Sequence, residues 1–145
     1  MSLSRLPDLD LRPLQAVHPD LIQDHEDWEV MRELKARGGI DGWITLDRRM
    51  LNLEKEMVVL HQTRLSQVVF EGVGNDPIVA TGLLMIHSKT IARQFDSRAP
   101  QLWVLRRPGT KPPIRPWDRI AEIARRQGAT PEELFERHRL PFSQL

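Results

Sequence analysis

Five carboxylates stand where an α/β chain brings strand ends and helix starts together. Asp24, Glu26 and Asp27 precede Trp28, Asp47 follows the apolar run Trp43-Ile44-Thr45-Leu46, and Asp76 precedes Pro77. Carboxylates gathered without as many cations repel one another. A hard divalent ion such as Mg²⁺ or Mn²⁺, held by one or two of them and several waters, relieves that repulsion. Such a centre suits phosphoryl chemistry, because the ion lowers the pKa of an attacking water. The candidate ligands are Asp47, Asp24, Asp27 and Asp76, with Asp47 and one of Asp24 and Asp27 anchoring the ion and serving catalysis. Arg48 and Arg49 carry forked donors able to hold a phosphate backbone.

Each of these residues also has a structural explanation. Acidic groups in a first helical turn are stabilised by the macrodipole and by capping, each by about 0.3 to 1 kcal/mol with no metal present. Asp76 before Pro77 is a standard helix opening. Asp47 stands apart, since a strand end needs no carboxylate; its structural alternatives are a turn or an ion pair with Arg48 or Arg49. His25 beside the acidic group could relay protons or be a surface residue, and His61 and His87 read as packing residues on helix faces. No His-x-x-x-His pair, Gly-rich phosphate loop or Gly-x-Ser-x-Gly elbow occurs, which removes zincins, P-loop NTPases and α/β-hydrolases.

The positioning elements follow from periodicity. Residues 1–23, broken by Pro7, Pro13 and Pro19, read as an extended arm. From Asp24 the apolar positions Trp28, Val30, Met31 and Leu34 recur at helical spacing until Gly38-Gly39. The Trp43–Leu46 run reads as a buried strand, 52–63 as a helix with Leu53, Met57 and Leu60 on one face, and 65–71 as a second strand closed by Gly72-Val73-Gly74-Asn75. Asp76 as N-cap and Pro77 at the first helical position open a long amphipathic helix. Residues 101–105 form a third strand ended by Pro108-Gly109. A semi-rigid linker over 110–116 then leads to short helices at 117–127 and 131–138, the second opened by a capping box at Thr130. Trp28, Trp43 and Trp103 fall at core-facing phases. Strands alternating with helices predict an α/β fold with a mostly parallel sheet, and such a topology brings strand C-termini and helix N-termini to one rim.

Composition sets the frame. With 145 residues, 40% hydrophobic and 28% charged, the chain has the make-up of a globular domain with one core. No apolar run approaches the ~18 residues of a membrane span, there is no secretory h-region, and there is no cysteine, so a cytoplasmic address is the default expectation. Residues 1–105 carry 12 Lys/Arg against 15 Asp/Glu, whereas 106–145 carry 9 against 5. The C-terminal part is therefore the basic one, and the chain divides into an arm over 1–23, an α/β domain over 24–107, and a basic Pro-rich linker with two helices over 108–145.

The run Asp24-His25-Glu26-Asp27-Trp28 to Gly38-Gly39, followed by Trp43-Ile44-Thr45-Leu46-Asp47-Arg48-Arg49, resembles the PIN-like domains. There an acidic-Trp helix and a glycine turn precede a strand of the form hydrophobic, Thr, x, Asp, Lys/Arg. The resemblance covers roughly residues 20–106. It implies a three-layer α/β/α sandwich, an acidic rim holding Mg²⁺ or Mn²⁺ for RNA phosphodiester cleavage, and often a toxin paired with an antitoxin. Asp47 matches the Thr-x-Asp carboxylate, and Asp24 or Asp27 the acid before the tryptophan. PIN-like domains open with a strand ending in an Asp, and residues 1–23 contain no such unit. The alternative is therefore a truncated, non-catalytic module whose basic tail, Arg106 to Arg139, binds a protein or nucleic acid; a small signalling domain of the response-regulator type is a third reading. An uncovered sheet edge would favour a homodimer.

Overall fold

The computed structural model describes residues 9–107 and 111–145. Its elements are α1 (Leu14–Val17), α2 (Asp27–Arg37), β1 (Gly42–Ile44), α3 (Glu54–Thr63), β2 (Ser66–Phe70), α4 (Pro77–Gln94), β3 (Leu102–Leu105), α5 (Pro116–Gln127) and α6 (Pro131–His138). Short 3-10 turns lie at Pro19–Leu21, Arg48–Asn52 and Phe142–Gln144. The expected strand stop at Pro108-Gly109, the start of the linker and the first eight residues of the arm lie outside the described residues. The three strands form a parallel sheet in the order β1-β2-β3, as an α/β chain should.

Every residue of β2 is buried, so both faces of the middle strand need a cover. Alternate side chains point to opposite faces. Val69 and, from β3, Leu102 join a cluster with Met31 and Leu34 of α2, Met57 to Leu60 of α3, Ile120 and Ile123 of α5 and Leu134 of α6. Val68 and Phe70, with Trp103 and Leu105, pack instead against Ala80, Leu83, Leu84 and Ile91 of α4. Because the strand order runs in one direction while α3 and α4 cover opposite faces, the two crossovers have opposite hands. The rim is unaffected, since a strand's C-terminus and the next helix's N-terminus meet on one edge for either hand.

Local chemistry explains the boundaries. α4 starts at Pro77 with Asp76 as its cap, and α6 starts at Pro131 with the Thr130–Glu133 capping box, both as the sequence predicts. α2 starts later than its sequence suggests. Glu26 is the N-cap, in a capping box with Glu29, and Asp24 sits outside the helix in the left-handed region at φ 62°. α2 stops at Gly38 and Gly39, at φ 70° and 75°, where only glycine avoids a Cβ penalty.

The two terminal segments belong to the core. In the expected arm, α1 forms one helical turn, Leu21 is buried and Leu14 packs on the main cluster. Arg37 fixes the next stretch with a forked pair to Asp20 at 2.9 and 2.6 Å, holding that carboxyl down to about 2. At the other end, the His61 ring of α3 packs tilted against Trp117 at 5.1 Å and edge-on against Phe135 at 6.0 Å, which is the packing role expected of it; burial lowers its pKa. Gln62 exchanges two hydrogen bonds with the backbone of Leu140, and Arg119 donates to the Leu51 carbonyl at 2.7 Å. Ile114 makes an antiparallel bridge to Leu102, so the linker also touches the sheet. Among the described residues no helix is long and apolar enough to cross a membrane.

Two glycines give opposite expectations. A Cβ on Gly42 would overlap the carbonyl of Ser66, its partner across the sheet, whereas one on Gly82, within α4, would meet nothing within 4 Å. Gly42→Ala should therefore lower stability by about 1 to 3 kcal/mol and Gly82→Ala raise it by about 0.5 to 1 kcal/mol, both read from urea midpoints. Leu134→Ala, at a fully buried position in α6, should cost about 2 to 5 kcal/mol. It should also leave a single unfolding transition, whereas an independent C-terminal appendage would melt separately and leave the main transition in place.

Candidate acidic site at the sheet rim

β1 ends against β2, where the Thr45 N–H donates to the Val68 carbonyl at 3.0 Å. The chain then turns through a relay. The Thr45 hydroxyl oxygen accepts from the Asp47 N–H at 3.1 Å, and Asp47 Oδ1 accepts from the Arg49 N–H at 2.9 Å. Thr-x-Asp-x-Arg spacing is thus what two successive side-chain turns require. Arg49 also clasps the carboxylate through Nε at 3.0 Å and Nη2 at 2.8 Å, and its guanidinium, chiefly through these bonds, holds the Asp47 carboxyl below its ordinary range. The Arg49 side chain is 86% exposed, and an ion pair in water contributes at most about 1 kcal/mol. Water competes readily for this clasp.

Asp27, the first residue of α2, faces this turn. It is partly buried and has no side-chain hydrogen bond or ion pair among the described residues. Burial pushes its carboxyl up first, and the negative charge of Asp47 pushes it further, with Arg49 opposing and Glu26 adding a smaller push. Glu56, in the first turn of α3, is raised in the same way, by burial above all and then by Asp27 and Glu26, against its own N–H and Lys55. Glu26 is fixed from behind, since it accepts from the Trp28 indole N–H at 2.6 Å, while Lys55 Nζ lies 3.8 Å from the Trp28 ring centroid. Asp27, at the start of α2, is therefore the centre of the group: the end of β1 brings the charge of Asp47 to bear on it, and Asp27 in turn acts on Glu56 at the start of α3.

The other expected residues are placed differently. Asp24 is exposed and is not among the charges acting on Asp27, Asp47 or Glu56. Asp76 spends its carboxylate on the cap of α4, accepting from Ile78 N–H at 2.9 Å and Val79 N–H at 3.4 Å. Arg48 reaches Glu71 at 3.4 Å, and His25 lies 3.9 Å from Glu29. Glu56 was not among the expected site residues. The signal for it lies in the same topological rule that selects Asp27, because α3 follows β1 and its acidic first turn must return to the same rim.

Among the described residues, no three His, Asp or Glu side chains stand together closely enough to hold an ion as placed. The donor chemistry nevertheless suits a hard cation. All donors are carboxylate oxygens; among the described residues Asp27 has no side-chain hydrogen bond or ion pair and Glu56 only its own N–H, and Asp47 is held by an exposed arginine that an ion could displace; one or two carboxylates and waters complete a Mg²⁺ sphere. A cavity of about 430 Å³ adjoins the group, lined by Asp27, His25 and Trp43 with apolar Leu14, Leu21 and Val30.

The raised pKa of Asp27 sets a pH dependence. Its unfolded value is near 3.8 and its folded value is higher, so between the two the folded state binds more protons and stability falls as pH rises. Asp27→Asn removes this penalty. Between pH 3 and pH 7 the stability difference should move in favour of the variant by on the order of 0.5 kcal/mol, read from denaturant melts at both pH values; a difference independent of pH would contradict the assigned environment.

Comparison with protein-family models, with curated proteins and with solved structures gives no match for this chain.

Proposed function

We propose that the chain is a divalent-cation-dependent endoribonuclease of the PIN-like kind, with a three-layer α/β/α arrangement. The observation that supports this most is the position of Asp27, a partly buried carboxylate with no side-chain partner among the described residues, raised by burial and by the charge of Asp47 and itself raising the partly buried Glu56. A cluster that structure alone required would have been paired, because like charges brought together out of water destabilise the fold.

In this reading Asp27 and Asp47 hold the ion through one oxygen or more each. Mg²⁺ or Mn²⁺, when bound, supplies an activated water and neutralises charge on the phosphate. Arg49 then has two tasks, aligning the Asp47 carboxylate and, once displaced, facing the substrate backbone beside Arg48. Glu56, with its raised proton affinity, is suited to take a proton from the attacking water. Trp28 and Lys55 keep Glu26 and the start of α2 in position. An antitoxin or a second copy of the chain as partner, and a cytoplasmic setting, belong to the same proposal.

The alternative module, binding without cleaving, is favoured by the Arg49 clasp, which leaves Asp47 engaged. Calorimetric titration with Mn²⁺ separates the two. Wild type should give heat of binding, while Asp27→Asn and Asp47→Asn should lose most of it. Cleavage of a structured RNA in Mn²⁺ should fall at least about 100-fold in both variants, and more than about 10-fold in Glu56→Gln. Heat without cleavage would leave a binding module, and cleavage unaltered in Asp47→Asn would remove that residue from the mechanism.

A further inference from the structure

Parallel strands end on one edge, so the residues that leave β1, β2 and β3 follow one another along it: Asp47 with Arg48 and Arg49, then Glu71, then Arg106 and Arg107. Neighbouring strands lie ~4.8 Å apart, which puts the β3 end about 10 Å from the β1 end. Two contacts tie the edge together. The Glu71 N–H donates to the Leu105 carbonyl at 2.8 Å, and Arg48 Nη2 lies 3.4 Å from Glu71 Oε1. Beside this edge, on the α4 side of the sheet, lies a cavity of about 520 Å³ lined by Glu71, Arg106 and Arg107 with apolar Val73, Val79 and Leu83. Neither Arg106 nor Arg107 has an ion pair or side-chain hydrogen bond among the described residues. The one carboxylate in the cavity, Glu71, already faces Arg48.

We propose that Arg106 and Arg107, with Arg48, form a phosphate-holding cleft that seats the backbone of single-stranded RNA next to the acidic site. The inference rests on the reading of that site as one acting on RNA, and it names the residues that position the strand. Two arginines left without partners in a concave, partly apolar setting match the needs of a phosphate chain, because forked guanidinium donors bind phosphate oxygens while apolar walls accept the sugar and base. The order of charge along the edge adds direction. Carboxylates at the β1 end repel a polyanion unless a cation is present, and arginines at the β3 end attract it without one. Strand seating and cation binding are therefore separable, the first carried by β3 and the second by β1 and α2.

The test is binding of a fluorescein-labelled oligouridylate of about 12 nucleotides, followed by anisotropy in EDTA across 50 to 200 mM salt. In Arg106→Ala/Arg107→Ala, the slope of log K against log salt should be shallower by about 1.4, two phosphate contacts at ~0.7 each, and affinity at 100 mM salt should fall roughly 10-fold or more. Arg125→Ala/Arg126→Ala, which removes the same charge from α5, should keep the wild-type slope. An unchanged slope in the Arg106/Arg107 variant, or an equal loss in the Arg125/Arg126 variant, overturns the cleft. Uridine monophosphate or inorganic phosphate competing as well as the oligomer would also overturn it, in favour of a single-phosphate ligand. Both arginines lack partners among the described residues, so the melting temperature of the double variant should match wild type and a folding defect is separable. EDTA excludes Mn²⁺ from the assay. Loss of the predicted Mn²⁺ heat thus leaves the cleft standing, and loss of the cleft leaves the acidic site to be judged by its own heat and cleavage.

Discussion

A middle strand with no side chain in water constrains everything around it. β2 presents Val69 and Gln67 to one side and Val68 and Phe70 to the other, and exposing either face would leave several large apolar groups hydrated at about 1.5 to 3 kcal/mol each. One cover is α4, with Val73 and, from the N-terminal segment, Leu9 and Leu11 at its margin. The other is built from α2, α3, α5 and α6, with the turn at Leu21 closing its margin. This demand explains why the basic C-terminal segment, which by composition resembles a detached tail, folds back onto α3. It also explains why the start of α2 arrives at the end of β1: a helix that must lie along the strand before it and enter that strand through the Gly38-Gly39 turn has its N-terminus at the far end.

The same constraint gives the Thr45-Asp47-Arg49 relay two roles that do not compete. As local structure, its hydrogen bonds convert a strand into a 3-10 turn in three residues and aim the chain toward α3. As electrostatics, it fixes a carboxylate beside the acidic start of α2. A turn could have been built with Asn at position 47, which offers the same acceptor to the Arg49 N–H. Asn would have spared Asp27 the added repulsion. The presence of Asp therefore leaves a residue of unfavourable energy that turn formation does not account for, and that residue is the physical content of the functional reading.

Much of the fold was legible because the signals are local. Asp76-Pro77 and Thr130-Pro131 mark helix starts through hydrogen bonds spanning two or three residues, and the strands show as short β-prone runs between glycine and proline punctuation. The start of α2 was misread by three residues because Asp24, Glu26 and Asp27 are all acceptable caps, and only the pairing of Glu26 with Glu29 and with the Trp28 indole decides among them. The docking of α5 was hidden by charge, although Ile120, Ile123 and Ala124 recur at helical spacing and are buried. The nearness of Asp47 to Asp27 follows from topology. The neighbourhood of Glu56, the loss of Asp76 to its cap and the exposure of Asp24 depend on where side chains settle in space, which spacing along the chain does not encode.

Electrostatic asymmetry along the rim is the last consequence of this architecture. Arg49 cannot neutralise the acidic group, since one exposed guanidinium faces both Asp47 and Asp27 and spends its hydrogen bonds on Asp47. Nor can Arg48, whose partner is Glu71. The deficit of positive charge at the β1 end and its surplus at the β3 end are both products of strand order, and interior packing does not require either. In a domain selected for stability alone, a Lys or Arg hydrogen-bonded to Asp27, closer than the Coulombic reach of Arg49, would remove the repulsion at little cost, as Asp20 shows where Arg37 fully engages it. The chain pairs the carboxylate that ties down its N-terminal segment and, among the described residues, leaves Asp27 at the rim without a side-chain partner, a distribution the proposed cation site would use.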